Sequence, residues 1–216
     1  MINRKGIYQT FDAAGNVIAD ERWQAVTHAD GSRQIDNETV RVGPFAEPRS
    51  DSMTMLLDKE LRLIEFTIHG LFGTRESRIC VLGEARDAAT LCWRLKGDVH
   101  EKRIAWSEDI EIGWATPLLN MATVWRSGLA VGESRTFDCY ALDEVTFKPA
   151  LLKQTCTRHA DERRDTRFGL MMLQHFTLDD GADGQRIAHF WCDAEGVLFD
   201  FKAHDGSGFV LTAANV

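Results

Sequence analysis

The chain is 216 residues long, 44% hydrophobic and 27% charged, with a formal net charge of −8; this is ordinary globular usage and excludes disorder as the default. That length suits one large domain whose core needs no disulfide or metal staple. The acidic residues are scattered, and their excess disfavours nucleic acid and anionic lipid surfaces as partners.

The first residues, MINRKGIYQTF, carry no apolar signal-peptide run, and apolar runs elsewhere are a few residues long. The sequence therefore predicts a cytoplasmic protein with no membrane insertion. Turn signals then recur along the chain. The run from Asp12 to Gly15 separates GIYQTF from NVIADERWQAV, and Asp30-Gly31 separates ERWQAVTH from SRQIDNETVRV. Pro44 and Pro48 mark a loop over 43–52, and Gly70, Gly73, Gly83, Gly97, Gly128 and Gly132 continue the series. Punctuation at roughly ten-residue intervals predicts an all-β sandwich, barrel or large curved sheet. Alternation supports this: Ile79 and Val81 oppose Arg78 and Cys80, and Phe137, Cys139 and Ala141 share a face. A short helix over 84–90 is a weaker expectation.

One segment breaks the β pattern. Thr116 is a candidate N-cap, Pro117 suits the first helical turn, and Gly128 suits the end. Between them Leu118, Met121, Ala122 and Trp125 make one apolar stripe at helical spacing. Such a helix in a β chain has only the sheet to bury its stripe against. The mixed charge run over 158–165 reads as a solvated hairpin tip. The five cysteines, Cys80, Cys92, Cys139, Cys156 and Cys192, are far apart and mostly inside apolar runs, which reads as reduced and buried.

Residues 167–215 alternate short apolar segments with breaks rich in Asp and Gly, the pattern of an antiparallel meander. A turn centred near Ala182 sets His175 opposite His189. A turn centred between Ala194 and Glu195 sets His189 opposite Asp200. The three then form one transverse row, on a face shared with Met171, Leu173, Ile187, Trp191 and Leu198. The other face carries Leu170, Met172, Phe176, Phe190, Phe199 and Phe201, so both faces are apolar and one is expected to line a cavity. In the row, His175 or His189 would move a proton and Asp200 would fix the tautomer. Two His and one Asp also match a non-haem iron triad in composition, but no metal or other cofactor is assigned. A structural reading, half-exposed polar residues on an outer face, stays open beside these. Trp125, Trp191 and the other four tryptophans suit either core packing or a flat apolar ligand. His69, flanked by Gly70, is a cavity candidate or a turn residue. GxGxxG, P-loop, GxSxG, HExxH and EF-hand patterns are absent, which argues against nucleotide, α/β-hydrolase and thermolysin-type chemistry.

The residues Trp191, Asp193, Gly196, Leu198, Phe201, Asp205, Gly206, Phe209 and Leu211 form the string W-x-D-x-x-G-x-L-x-x-F-x-x-x-D-G-x-x-F-x-L. With the preceding helix, this half of the chain resembles lipoprotein-carrier-like proteins of the LolA/LppX-like class. The resemblance implies a curved antiparallel sheet around helices, sheltering a lipophilic ligand. It departs from the carriers in showing no export signal or lipobox. A calycin-like barrel is the competing architecture.

The expectation is thus one mainly-β domain over 1–216, a single large curved antiparallel sheet or open barrel with one main amphipathic helix. Its leading function is binding of a small lipophilic or aromatic molecule in a cavity lined by Trp191, Met171, Leu173, Ile187, Leu198, Trp125 and His69. The alternatives are a cofactor-independent isomerase, lyase or hydratase using His175, His189 and Asp200, and a module that forms a homodimer through its second apolar face.

Overall fold

The computed structural model describes residues 2–42, 49–70, 75–83, 86–95, 97–143, 145–179, 181 and 187–215. The chain opens with β1 (Ile2–Phe11), β2 (Val17–Thr27), β3 (Arg33–Arg41), β4 (Arg49–Leu57), β5 (Leu63–Gly70), β6 (Arg75–Leu82), β7 (Ala88–Leu95) and β8 (Asp98–Ala105). Then come β9 (Ile110–Gly113) and the helix α1 (Pro117–Ser127). The rest is β10 (Ser134–Leu142), β11 (Pro149–Arg158), β12 (Glu162–Thr166), β13 (Gly169–Asp179), β14 (Ile187–Cys192), β15 (Leu198–Lys202) and β16 (Gly208–Asn215).

These strands form one large curved sheet in the order β8-β7-β6-β5-β4-β3-β2-β1-β16-β15-β14-β13-β11-β10-β9, with β12 paired to β13. Two meanders, β1–β8 and β10–β16, are joined where β1 pairs antiparallel with β16. The only parallel pairing among the described residues is β9 with β10, and β8 and β9 are the two edges.

Asp and Gly turns set the hairpins. Asp12 accepts from the backbone of Ala14 and Asn16, Asp58 from Glu60 and Arg62, and Asp193 from Glu195 and Val197, each closing a tight turn with its own carboxylate. The strand faces alternate accordingly. In β2, Glu21, Trp23 and Ala25 are buried while Arg22 and Gln24 are exposed. Following the pairings, Tyr8, Leu211, Phe209, Phe201, Phe190 and Phe176 share the concave face.

The helix begins and ends as its sequence predicts. Thr116 is extended and its Oγ1 accepts from Leu118 N, while Gly128 is left-handed at φ 56°. Its stripe packs inside the curve: Leu118, Met121 and Ala122 are buried and the Tyr8 hydroxyl meets Met121 Sδ at 3.5 Å. Burying that stripe is what holds so short a helix, because an isolated helix of this length is marginal in water.

Three expectations need correction. Residues 84–85 lie outside the described residues, but 88–90 already belong to β7, so the short helix is replaced by strand there. The charge run over 158–165 is not a solvated tip. Arg158 is buried at the end of β11, and Glu162 to Asp165 belong to β12. β11 and β12 pair with the same β13 in the same sense, displaced by a break over 159–161, and the hairpin closes at Thr166 and Gly169. The anticipated loop over 43–52 is strand from Arg49 onward, and 43–48, like Gly73 and the turn around Ala182, lies outside the described residues.

Candidate functional site

The meander pairing differs by two residues from the expected row. His175 stands opposite Trp191 and His189 opposite Thr177 across β13 and β14. Trp191, in turn, stands opposite Asp200, and His189 opposite Lys202. A bulge in β15 adds a second departure: the register shifts so that Leu198 pairs with Cys192, on the concave side, while Asp200 pairs with Trp191 on the convex one. Strict alternation had put Leu198 with Asp200; the extra residue, Phe199, breaks that parity.

His175 and His189 nevertheless meet, since both shifts keep them on one face. His175 Nε2 lies 3.1 Å from His189 Nδ1, and His175 Nδ1 lies 2.9 Å from Glu162 Oε1. The ring of His175 stacks on Trp191 at 5.0 Å and on His159 at 4.7 Å. Trp191 Nε1 donates to Glu162 Oε2 at 2.9 Å, and the Arg164 guanidinium lies 3.9 Å over the Trp191 ring. Asp200 accepts from Arg164 Nη2 at 2.6 Å. The third member of the expected row is therefore held by an arginine, and Glu162 takes the place beside the imidazole. Burial pulls the His175 pKa down, opposed by the Glu162 carboxylate. Glu162 and Arg164 could not be found from the sequence, because they sit beyond the break in the β11–β12 run.

The cavity lies on the opposite, concave side, at the N-terminal end of α1. It is half-open, with a volume of about 470 Å³, within the range of small-molecule sites. Phe11, Ile18, Trp114, Leu119, Leu152, Leu178, Ala188, Phe201 and Phe209 supply apolar walls, and Arg41, Thr116, Asn120, Thr123, Gln154 and His204 supply polar ones. None of the residues expected to form a site lines it. His175, His189, Asp200, Trp191, Met171, Leu173 and Ile187 lie on the convex side of the meander, by their pairings. Leu198 is buried in the core. Trp125 lies at the far end of the helix, its Nε1 donating to Glu195 O at 2.8 Å and its ring under Arg33 at 4.5 Å. His69 is exposed on β5, 3.7 Å from Glu76.

Polar residues crowd the concave face beside the cavity. Glu21 is 1% exposed; it accepts from Thr116 Oγ1 at 2.7 Å and from Thr39 Oγ1 at 3.2 Å. Asn37 Nδ2 donates to Thr116 Oγ1 at 3.3 Å. Arg41 donates from Nη2 to Ala115 O at 2.6 Å, and its Nε stands 3.4 Å from Asp51. Asp51 is gripped more closely by Arg75 Nη2, at 2.6 Å. Burial pushes the carboxyls of both Glu21 and Asp51 upward, against these donors and guanidinium charges. The sequence did carry a signal for this cluster. Glu21 shares parity with Trp23, and Asn37, Thr39 and Arg41 share parity with Ile35, so polar groups alternate onto a core face.

No family model matches the chain, and no curated protein does. Among solved structures it is similar to a β-barrel-like protein of the domain of unknown function DUF1849 from Brucella abortus, at 12% identity and a TM-score of 0.61, covering 99% of this chain and 97% of that one. The fold is β-barrel-like. A DUF1089 family protein from Pseudomonas aeruginosa is also similar, at 16% identity and a TM-score of 0.57, over 84% of this chain and 88% of that one. At such identities the likeness concerns the fold alone. No helix among the described residues is long and apolar enough to cross a membrane.

Proposed function

We propose that the protein binds a small lipophilic molecule in the half-open cavity between α1 and the concave face of the sheet, where β1–β3 meet the second meander. The observation that carries this is the cavity itself: about 470 Å³, walled by Trp114, Leu119, Leu178, Phe201 and Phe209 together with a few polar groups. Apolar walls drive entry, and sparse polar groups fix orientation. The resemblance of the carboxy-terminal half to LolA/LppX-like carriers supports the same kind of cavity, with a different lining from the one anticipated. Titration with N-phenylnaphthylamine tests the reading. Wild type should enhance the dye's emission saturably, and Ala188→Trp, which fills the space from β14, should lose most of that response while keeping its circular dichroism. Unsaturable or absent enhancement, or an Ala188→Trp variant that binds as well as wild type, would refute it.

A second reading, proton transfer at His175 and His189, is supported by the 3.1 Å and 2.9 Å contacts that chain Glu162, His175 and His189 together. A carboxylate behind an imidazole fixes its tautomer and raises its basicity. That chain lines the convex side rather than the cavity, so it ranks below the binding function. Dimerisation through the Trp191 face ranks below both: His175 and Trp191 are already covered within one chain, at 8% and 6% exposure.

A further inference from the structure

The cavity is walled by apolar residues such as Leu152, Leu178 and Phe201, and Arg41 lines it together with Thr116 and Asn120 from the start of α1. Arg41 is 6% exposed, and its Nε, buried, has no hydrogen-bond partner among the described residues. Its ion pair with Asp51 is shared: Asp51 Oδ2 stands 3.4 Å from Arg41 Nε, while Oδ1 makes the closer contact with Arg75 Nη2 at 2.6 Å. The other nearby acid, Glu21, directs its oxygens to Thr116 and Thr39. The Arg41 guanidinium thus shares the Asp51 carboxylate with a second arginine, stands 5.7 Å over the Trp114 ring, and borders a cavity.

A second feature points the same way. The first turn of α1 carries no acidic residue, and Thr116 and Asn120 from that end line the cavity. The positive end of the helix dipole therefore faces the same space with no acid in its own first turn, although the buried Glu21 carboxylate accepts from the N-cap Thr116. The whole protein carries a net charge of −8, so an arginine lining an apolar cavity runs against the global balance.

We infer that the ligand is an amphiphile with an anionic oxyacid head, its tail against Leu178 and Phe201 and its head at Arg41 and the start of α1. This deepens the proposed binding function and rests on it. Arg41 supplies a planar fork that matches carboxylate or phosphate.

The test is displacement of N-phenylnaphthylamine from the full chain by dodecanoate, dodecyl phosphate and dodecanol, which share a tail and differ in head. One of the two anions should bind about tenfold or more tightly than dodecanol, as expected for a charge-assisted hydrogen bond. Which anion it is identifies the head. Arg41→Met should remove that preference, the anion losing about tenfold more affinity than dodecanol. Because Arg41 also ties Ala115 to β3, Asn120→Asp provides a variant gentler to the fold: an acid in the first turn suits the helix but should weaken the anion by about tenfold more than it weakens dodecanol. Dodecanol binding as tightly as both anions to wild type, or anion affinity unmoved in Asn120→Asp and in a folded Arg41→Met, would overturn the inference while leaving the cavity's role intact. Failure of all three amphiphiles to displace the dye, or of the dye to bind, would remove the binding function itself and this inference with it.

Discussion

Glu21 is an acid held among hydroxyls, and its behaviour with pH follows from that. Burial raises its pKa above the ordinary 4.5, with the Thr116 and Asn37 hydrogen bonds opposing. The folded state then holds its proton more tightly than the unfolded state, so stability falls as pH rises through 4.5 toward the raised value, and the cost persists above it. Glu21→Gln should be nearly as stable as wild type in acid and gain on it as pH rises toward neutrality; thermal melts across that range check this, and a pH-independent difference would contradict it. His175 has the opposite slope. Burial lowers its pKa below 6.5, so folding loses stability as pH falls from 6.5 toward the lowered value. His175→Gln should lose stability at neutral pH with its Glu162 and His189 contacts, and its melts should lack that acid-side slope. The meeting of His175 with His189 was legible from strand parity alone. Their partners were not, because Glu162 and Arg164 reach Trp191 and Asp200 from a strand that reads as a polar run, and the polar atoms of a run say nothing about what lies across a fold.

At the scale of elements, what is local proved legible and what is not local did not. The helix α1 could be read from Thr116, Pro117 and Gly128, because caps and stops are decided within a few residues. Asp-Gly turns likewise encode themselves. The bulge at Phe199 leaves no such mark, and it reversed Leu198 relative to Asp200. Gly196 shows how a turn and the helix depend on each other. It sits at φ +80°, and a Cβ there would come within 2.6 Å of Trp125 Cδ1 and Nε1. Gly196→Ala should therefore cost about 2 kcal/mol, from left-handed backbone strain together with the clash. Urea unfolding measures the loss. In the Trp125→Ala background the same substitution should cost less, since only the backbone part remains.

At the scale of the molecule, the sheet has a protected middle and two plain edges. Along β8 every described side chain but Ile104 is exposed, whereas β2 and β3 bury alternate residues throughout. Amide exchange should accordingly be fast in β8 and slowest in β1–β3, since protection follows burial and pairing on both sides; comparable protection in β8 would show that something covers that edge. The seam between β1 and β16 joins residues such as Lys5 and Asn215, whose contact spans 210 positions of sequence. A ribosome makes β1 among the earliest strands and β16 after all the others. At roughly 5–20 residues per second, β1 waits on the order of ten seconds or longer for its second neighbour. During that interval its free backbone edge is open to any other nascent strand. The time taken to write the chain thus sets how long this sheet can be mispaired, and slower translation of the second half lengthens that exposure without changing a residue.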